Sequence, residues 1–169
     1  MAANANARSD VLDVAATKPP VRVTTFDYAR LADVVEAFRL GGREQVVERL
    51  SDELDRAELV EPAAIPPDVV TMHSCVRFVD DAGEVRTVTL VYPGEEDSRQ
   101  GRIAIITPVG SALLGLRPGA TMAWRTMDGR IKRLSVLEVR YQPEASGFDG
   151  AAVRDGRNTA PTSSTTARS

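Results

Sequence analysis

Hydrophobic positions follow a helical period between residues 23 and 61. In TTFDYARLADVVEAFRL the apolar side chains recur three and four residues apart: Tyr28, Leu31, Val34, Val35 and Phe38. REQVVERLSDELDRAELV carries a second such stripe: Val46, Val47, Leu50, Leu54, Ala57 and Leu59. We expect Thr25 to cap the first helix and Asp52 to pair with Arg56 on the solvent side of the second. Because Gly41-Gly42 separates the stripes, residues 23–61 are predicted to form a short antiparallel helical hairpin.

Beyond residue 69 the period changes to two, which is typical of strands. Before that change, EPAAIPPDVV has three prolines, so residues 62–68 are predicted to form a stiff linker. Alternation and turn residues then predict strands that cover residues 72–78, 84–92, 102–107, 120–127 and 130–141. Asp128-Gly129 is typical of a tight hairpin turn. The fold class is therefore α+β, a helical hairpin followed by a mainly antiparallel sheet with one short helix.

The two ends of the chain are poor in periodic apolar residues. Residues 1–22 are rich in Ala, Asn, Ser and Pro, and residues 148–169 are small and polar. Such segments bury too little apolar surface to offset the entropy of ordering. Both are predicted to be disordered tails. The start lacks a basic segment followed by an apolar block, so we expect a cytoplasmic protein.

Composition and charge exclude several classes of function. The chain has 169 residues and a formal net charge of −3, with no apolar run of about 18 residues, so no membrane contact and no direct sequence-specific nucleic acid binding are expected. The single cysteine, Cys75, and the single histidine, His73, form no disulfide or zinc cluster and are expected to pack within strands. A run of basic residues is either a solvated sheet face or a local basic patch: Arg125, Arg130, Lys132, Arg133 and Arg140.

The stretch TPVGSALLGLRPG has two glycines at the spacing of a phosphate-binding loop, but it lacks the chemistry of one. Gly115 is followed by Leu116-Arg117 instead of the Lys and Ser or Thr that contact phosphate and magnesium. We expect a short helix that Gly115 ends in a left-handed conformation. The loop carboxylates at residues 95–97 have no calcium-loop pattern, and no nucleophile stands beside a base. Neither a cofactor, a metal nor an enzymatic activity is predicted.

Residues 23–147 resemble a known family. VTMHSCVRFVDDAGEVRTVTLVYPGEEDSRQGRIAIITPVGSALLGLRPG, followed by the Asp-Gly hairpin and LEVRYQPEASG, is similar to the carboxy-terminal domain of the GreA/GreB transcript-cleavage factors. The landmarks ELDRAELVEPAAIPPDVVTM, TLVYP, TPVGSALLGL and LEVRYQPEA resemble the Rnk branch, the regulators of nucleoside diphosphate kinase. The resemblance assigns residues 69–147 to an FKBP-like GreA/GreB carboxy-terminal domain, preceded by a coiled-coil hairpin.

The resemblance also implies a partner, RNA polymerase, with docking at the entrance of its secondary channel. The docking tip of Gre factors has an acidic or Asn residue and then Ser-Pro at the end of the strand before the short helix. The matching residues here are Ile106, Thr107 and Pro108, so the acidic contact is absent.

The helical hairpin distinguishes this chain from Gre factors, which need a long hairpin with paired acidic residues at its tip. Helices of 13 to 18 residues reach only roughly 20 to 27 Å. The predicted tip offers one carboxylate, Glu44, beside Arg39 and Arg43. We therefore expect a polymerase-binding regulator of elongation that competes with Gre factors without stimulating cleavage.

Two alternatives stay open. An FKBP-like domain could be a peptidyl-prolyl isomerase, although the chain is poor in aromatic residues and we expect its single tryptophan, Trp124, to anchor the sheet core. The protein could also bind nucleoside diphosphate kinase directly. The missing nucleotide motif favours an indirect effect through transcription.

Overall fold

The computed structural model describes residues 20–126 and 128–147. Their helices and strands, in chain order, are β1 (Arg22–Thr24), α1 (Thr25–Leu40), α2 (Glu44–Asp55), β2 (Glu58–Val60), β3 (Cys75–Asp80), β4 (Val85–Val91), β5 (Arg102–Ala104), α3 (Pro108–Leu113), β6 (Thr121–Arg125) and β7 (Ile131–Tyr141). The predicted tails lie outside the described residues, apart from residues 20–22. The α+β class and the order of its parts agree with the sequence analysis.

The hairpin of α1 and α2 forms because their apolar stripes face each other and the sheet. Leu31, Val35, Val47, Leu50 and Leu54 are all buried. The cap of α1 is Thr24 rather than the predicted Thr25, since the Thr24 hydroxyl accepts a hydrogen bond of 2.9 Å from the backbone N–H of Asp27.

The second helix ends earlier than its stripe predicts, at Asp55. The chain then forms β2, which pairs in parallel with β1, and the N–H of Glu58 donates to the carbonyl of Val21. The predicted Asp52–Arg56 pair is wrong because Arg56 bonds to the buried Glu53 instead. Val21 is buried and β1 begins at Arg22, so the last two residues of the predicted tail 1–22 belong to the fold.

The larger sheet of the described residues has the strand order β5-β4-β3-β7-β6. All neighbours are antiparallel except β4 and β5, which run parallel. Val88 and Leu90 of β4 are buried, as is Tyr92 directly after the strand. The predicted third strand is shorter than expected and ends at Ala104 because the chain turns there into α3.

One apolar core joins the hairpin to the sheet. Leu31 and Leu50 of the helices belong to the same buried cluster as Phe78, Leu113 and Trp124. Trp124 is buried, as the sequence predicts. Residues 62–68 cross between the two parts, with a single 3-10 turn at Pro62–Ala64 and with Ile65 buried. Packing of the hairpin on the sheet is therefore part of the fold itself.

Candidate functional site

The segment matched to the Gre docking tip lies where β5 turns into α3. The parallel strands β4 and β5 end side by side, and the N–H of Ile105 donates to the carbonyl of Val91 at 2.8 Å. Thr107 caps α3: its hydroxyl accepts from the N–H of Gly110 at 3.0 Å and donates to the carbonyl of Ala104 at 2.8 Å. These bonds fix the backbone of the segment at this edge of the sheet.

Gly110 lets α3 fold tightly back on β5. A Cβ at this position would lie 2.3 Å from the carbonyl oxygen of Ala104 and 3.0 Å from the Cα of Ile105. The stretch after it, from Ser111 to Leu116, is buried. Gly115 has a φ of 73°, the left-handed conformation predicted for it. Packing, rather than space for a phosphate, explains this glycine spacing.

The three predicted docking residues differ in how far they face solvent. Ile106 is half-buried and packs against the core, and Thr107 is half-buried and occupied as the helix cap. Pro108 is exposed at the first position of α3. Because proline fits the first helical position without losing a hydrogen bond, it leaves α3 intact while presenting an apolar ring to solvent.

The hairpin tip carries more positive than negative charge. Arg39 donates to the hydroxyl of Ser51 at 2.8 Å, and the Arg43 guanidinium lies 4.4 Å above the ring of Phe38. Both side chains are thus held by uncharged partners. Glu44 is exposed at the start of α2, and Leu40 at the end of α1 is 80% exposed. The tip therefore offers two guanidiniums, one carboxylate and an apolar side chain.

Carboxylates of the acidic loop have partners within the protein. In residues 20–126 and 128–147, no group of three His, Cys, Asp or Glu side chains is placed to hold a metal ion. Glu95 of the acidic loop contacts the His73 Nε2 at 2.9 Å and accepts from the backbone N–H of Tyr92. Asp97 accepts from the backbone N–H of Arg99.

The structure reveals a polar junction between hairpin and sheet that the sequence analysis missed. Asp27, in the first turn of α1, is only 4% exposed. Its carboxylate accepts from the Tyr92 hydroxyl at 3.1 Å and from the N–H of Met72 at 3.2 Å. The guanidinium of Arg30 lies 4.1 Å above the Tyr92 ring. The spacing Thr24-x-x-Asp27 was the one available signal, since it is typical of a helix N-terminus.

His73 belongs to this junction, so the prediction that it packs within a strand is wrong. It precedes β3 with a φ of 62°, which is uncommon for a residue other than glycine. Its N–H donates to the carbonyl of Leu90, and its ring centroid lies 5.5 Å from that of Tyr92. The turn before β3, rather than the strand, therefore positions the imidazole beside the acidic loop.

Ion pairs among the described residues account for much of the predicted basic run. Arg130 pairs with Asp128, Lys132 lies 4.0 Å from Asp81, and Arg140 lies 3.4 Å from Glu138. These pairs are exposed, so they favour the solvated sheet face over a concentrated basic patch.

Asp27 gives the stability a defined pH dependence. Burial raises the pKa of its carboxyl above the ordinary value of 3.8, against the opposing hydrogen bonds from Met72, Tyr92 and Thr24 and the opposing charge of His73. The folded state therefore holds this proton more tightly than the unfolded state does. The contribution of Asp27 to stability should grow as pH falls through its folded pKa and be complete below 3.8.

We expect urea unfolding of the native protein and of Asp27→Asn to show this difference across acidic pH. The native protein should gain stability relative to the variant as pH falls, because the amide does not titrate. Tyr92, Arg30, His73 and Glu144 face the junction in both proteins, so their contributions largely cancel. Parallel stability curves would contradict the assignment.

Fold and site define a class of protein, a helical hairpin followed by a Gre-type sheet domain. The family model for the carboxy-terminal domain of the transcription elongation factors GreA/GreB matches residues 65–141, and the model for the Rnk N-terminus matches residues 19–60. The chain is 39% identical over 132 residues to the "Regulator of nucleoside diphosphate kinase" of Escherichia coli (strain K12), covering 78% of this chain and 96% of that protein. The chain belongs to this Rnk family.

Two further relatives carry the name of GreA/GreB transcription elongation factors. A solved "Prokaryotic transcription elongation factor GreA/GreB from Nitrosomonas europaea" is 42% identical, with a TM-score of 0.56, and the match covers 73% of this chain and all of that one. The transcription elongation factor GreA of Azorhizobium caulinodans is 32% identical over 96 residues, 56% of this chain and 60% of that factor. Across the described ranges, no helix is both long and apolar enough to cross a membrane.

Proposed function

We propose that this protein binds RNA polymerase through its sheet domain at the entrance of the secondary channel. There it competes with Gre factors without stimulating transcript cleavage. The observation that carries the proposal is a Gre-type sheet domain joined to a short hairpin with a basic tip. The protein then acts by binding and blocking, rather than as a catalyst.

Length is the first argument against cleavage activity. The helices α1 and α2 have 16 and 12 residues. At about 1.5 Å per residue they extend roughly 24 and 18 Å. A Gre factor is expected to thread its hairpin through the channel as far as the catalytic magnesium. A hairpin of this length fits the channel entrance better than its depth.

Charge is the second argument against cleavage activity. Holding magnesium takes carboxylate oxygens, and the tip offers Glu44 alone. Arg39 and Arg43 lie close to it in sequence and are held in place by Ser51 and Phe38. Two fixed guanidiniums repel a divalent cation. Even a hairpin that reached the active site would therefore bind magnesium poorly.

The docking surface that we propose is the edge formed by Ile106, Thr107 and Pro108. Its backbone is fixed by the Thr107 cap and by the close approach of Gly110 to β5, so the surface needs little ordering on binding. Pro108 is its most exposed member. We also propose that the sheet domain has an FKBP-like arrangement around this edge.

A variant at Pro108 tests the docking surface without disturbing the helix. Pro108→Asp places a carboxylate on an exposed surface at the N-terminus of α3, where the partial positive charge of the helix tolerates it. We expect its affinity for core RNA polymerase to fall at least about tenfold, or roughly 1.4 kcal/mol. Fluorescence anisotropy with labelled protein would measure the change.

Pro118→Asp is the matched control, since Pro118 is also exposed but lies in the turn before β6. Its affinity should match that of the native protein. Equal affinities for the native protein and both variants would place the docking surface elsewhere. No binding by the native protein would exclude the proposed partner.

The name of the Escherichia coli relative refers to regulation of nucleoside diphosphate kinase. In the proposed function such regulation is indirect and acts through transcription. A pull-down from lysate separates the routes. Recovery of polymerase subunits supports the proposal, whereas recovery of the kinase without polymerase supports direct binding.

A further inference from the structure

The buried carboxylate of Asp27 connects the two parts of the molecule. Asp27 lies on α1 of the hairpin, whereas both of its long-range donors, the Tyr92 hydroxyl and the Met72 N–H, belong to the sheet domain. They are 65 and 45 residues away in sequence. The contact thus ties the first turn of α1 to the end of β4 and to the turn before β3.

Both donors are themselves held firmly. The turn before β3 is closed by the Thr71 N–H, which donates to the Ser74 hydroxyl at 3.0 Å, and by the N–H of His73, which donates to Leu90 at 2.7 Å. The Tyr92 backbone is fixed in turn, since its N–H donates to Glu95. A donor on a rigid support restricts the direction from which its acceptor can approach.

Apart from cation–π contacts such as that of Arg49 with Trp124, the hairpin packs on the sheet mainly through apolar residues such as Leu31, Leu50 and Leu113. Hydrophobic burial holds the two parts together, but it has little directional preference. Hydrogen bonds depend strongly on angle, and two of them converge on one carboxylate here. The Arg30–Tyr92 stack lies beside them and adds a second contact with a preferred geometry.

We infer that Asp27 is a positioning residue that sets the angle of the hairpin relative to the sheet domain through Tyr92 and Met72. In a protein that docks by its sheet domain, this angle decides where the hairpin tip lies in the channel entrance. That consequence rests on the proposed function, whereas the positioning itself does not.

Distances between spin labels measure the angle directly. Labels on Glu48→Cys in α2 and Thr87→Cys in β4 occupy exposed positions of the two parts, in a Cys75→Ser background. Double electron–electron resonance should give one narrow distance distribution for the native protein. Tyr92→Phe deletes one hydroxyl and keeps the ring under Arg30, so we expect the width to increase about twofold as further orientations become populated.

Companion variants separate positioning from stability. Asp27→Leu should broaden the distribution further, whereas Asp27→Asn should keep it narrow because the amide can still accept from Met72 and donate to the Tyr92 oxygen. Tyr141→Phe, at a half-exposed tyrosine at the end of β7, is the matched control and should behave as native.

Two results would overturn the inference. One is a native-like distribution in both Tyr92→Phe and Asp27→Leu, even with lowered melting temperatures, since that pattern marks a stabilising contact only. The other is a native-like distribution in Tyr92→Phe while Asp27→Leu fails to fold. Polymerase binding is measured on the same variants. If the native protein does not bind polymerase, the proposed function is excluded, but the conclusion from the distances still holds.

Discussion

Replacing Gly115 by alanine will lower the free energy of unfolding by roughly 3 kcal/mol, through strain and overpacking together. Gly115 has a φ of 73°, where any other residue is strained. Its Cβ would also lie 2.4 Å from the Cγ1 of Val21 and 2.8 Å from the backbone N and O of Arg22. Because Val21 and Arg22 lead into the hairpin, the methyl group would push the two parts of the molecule apart.

Gly119→Ala supplies the matched comparison. Gly119 has a φ of 87°, but a Cβ there meets no atom within 4 Å. Only backbone strain remains, so we expect a loss of about 1 to 2 kcal/mol. Urea denaturation of both variants measures the difference. Equal losses would show that the approach of β1 to Gly115 is not tight.

Replacing Leu50 by alanine should lower the free energy of unfolding by about 3 kcal/mol and affect hairpin and sheet together. Leu50 is fully buried on α2 in the core that both parts share. Far-UV circular dichroism follows the helices. The fluorescence of the single tryptophan, Trp124, reports on strand β6 of the sheet. The Trp124 ring centroid lies 5.7 Å from the guanidinium of Arg49 on α2. Both probes should shift to the same lower midpoint.

Leu137→Ala controls for loss of a leucine side chain outside this core. Leu137 is 44% exposed on β7, and its truncation should change stability by less than about 1 kcal/mol. Should the tryptophan transition of Leu50→Ala stay at its native midpoint while the dichroism shifts, the hairpin would unfold independently and the shared core would not be cooperative.

Periodicity predicted the local elements well because it records which face of each element is buried. The stripe from Tyr28 to Phe38 predicted α1, the two-residue alternation predicted the strands that became β3 and β4, and Asp128-Gly129 predicted the β6–β7 hairpin. The turn at Gly129, which has a φ of 81°, depends on its own residues, so the sequence was sufficient to predict it.

Features that depend on distant partners were not predictable in this way. The second helix ends at Asp55 because β2 pairs with β1, more than 30 residues earlier in the chain. Parallel pairing of β5 with β4 likewise has no local signal. In sequence, Asp27 has the pattern of an ordinary helix start, and its partner Tyr92 has the pattern of one more apolar strand position.

The candidate docking segment was found by resemblance, and the structure adds how it is held. Thr107 was matched to the docking tip by resemblance, and in the structure its hydroxyl caps α3. Pro108 is the most exposed of the three docking residues. That distinction depends on the geometry of the turn between β5 and α3, which the spacing of residue types does not predict.

Occupation of the Gre site without cleavage is tested most directly by a cleavage assay on backtracked RNA polymerase. The protein is titrated alone and then against a fixed amount of a Gre factor. We expect no transcript cleavage by the protein alone and a progressive loss of Gre-stimulated cleavage as its concentration rises. Cleavage stimulated by the protein itself, or Gre-stimulated cleavage that persists at saturating protein, would contradict the account.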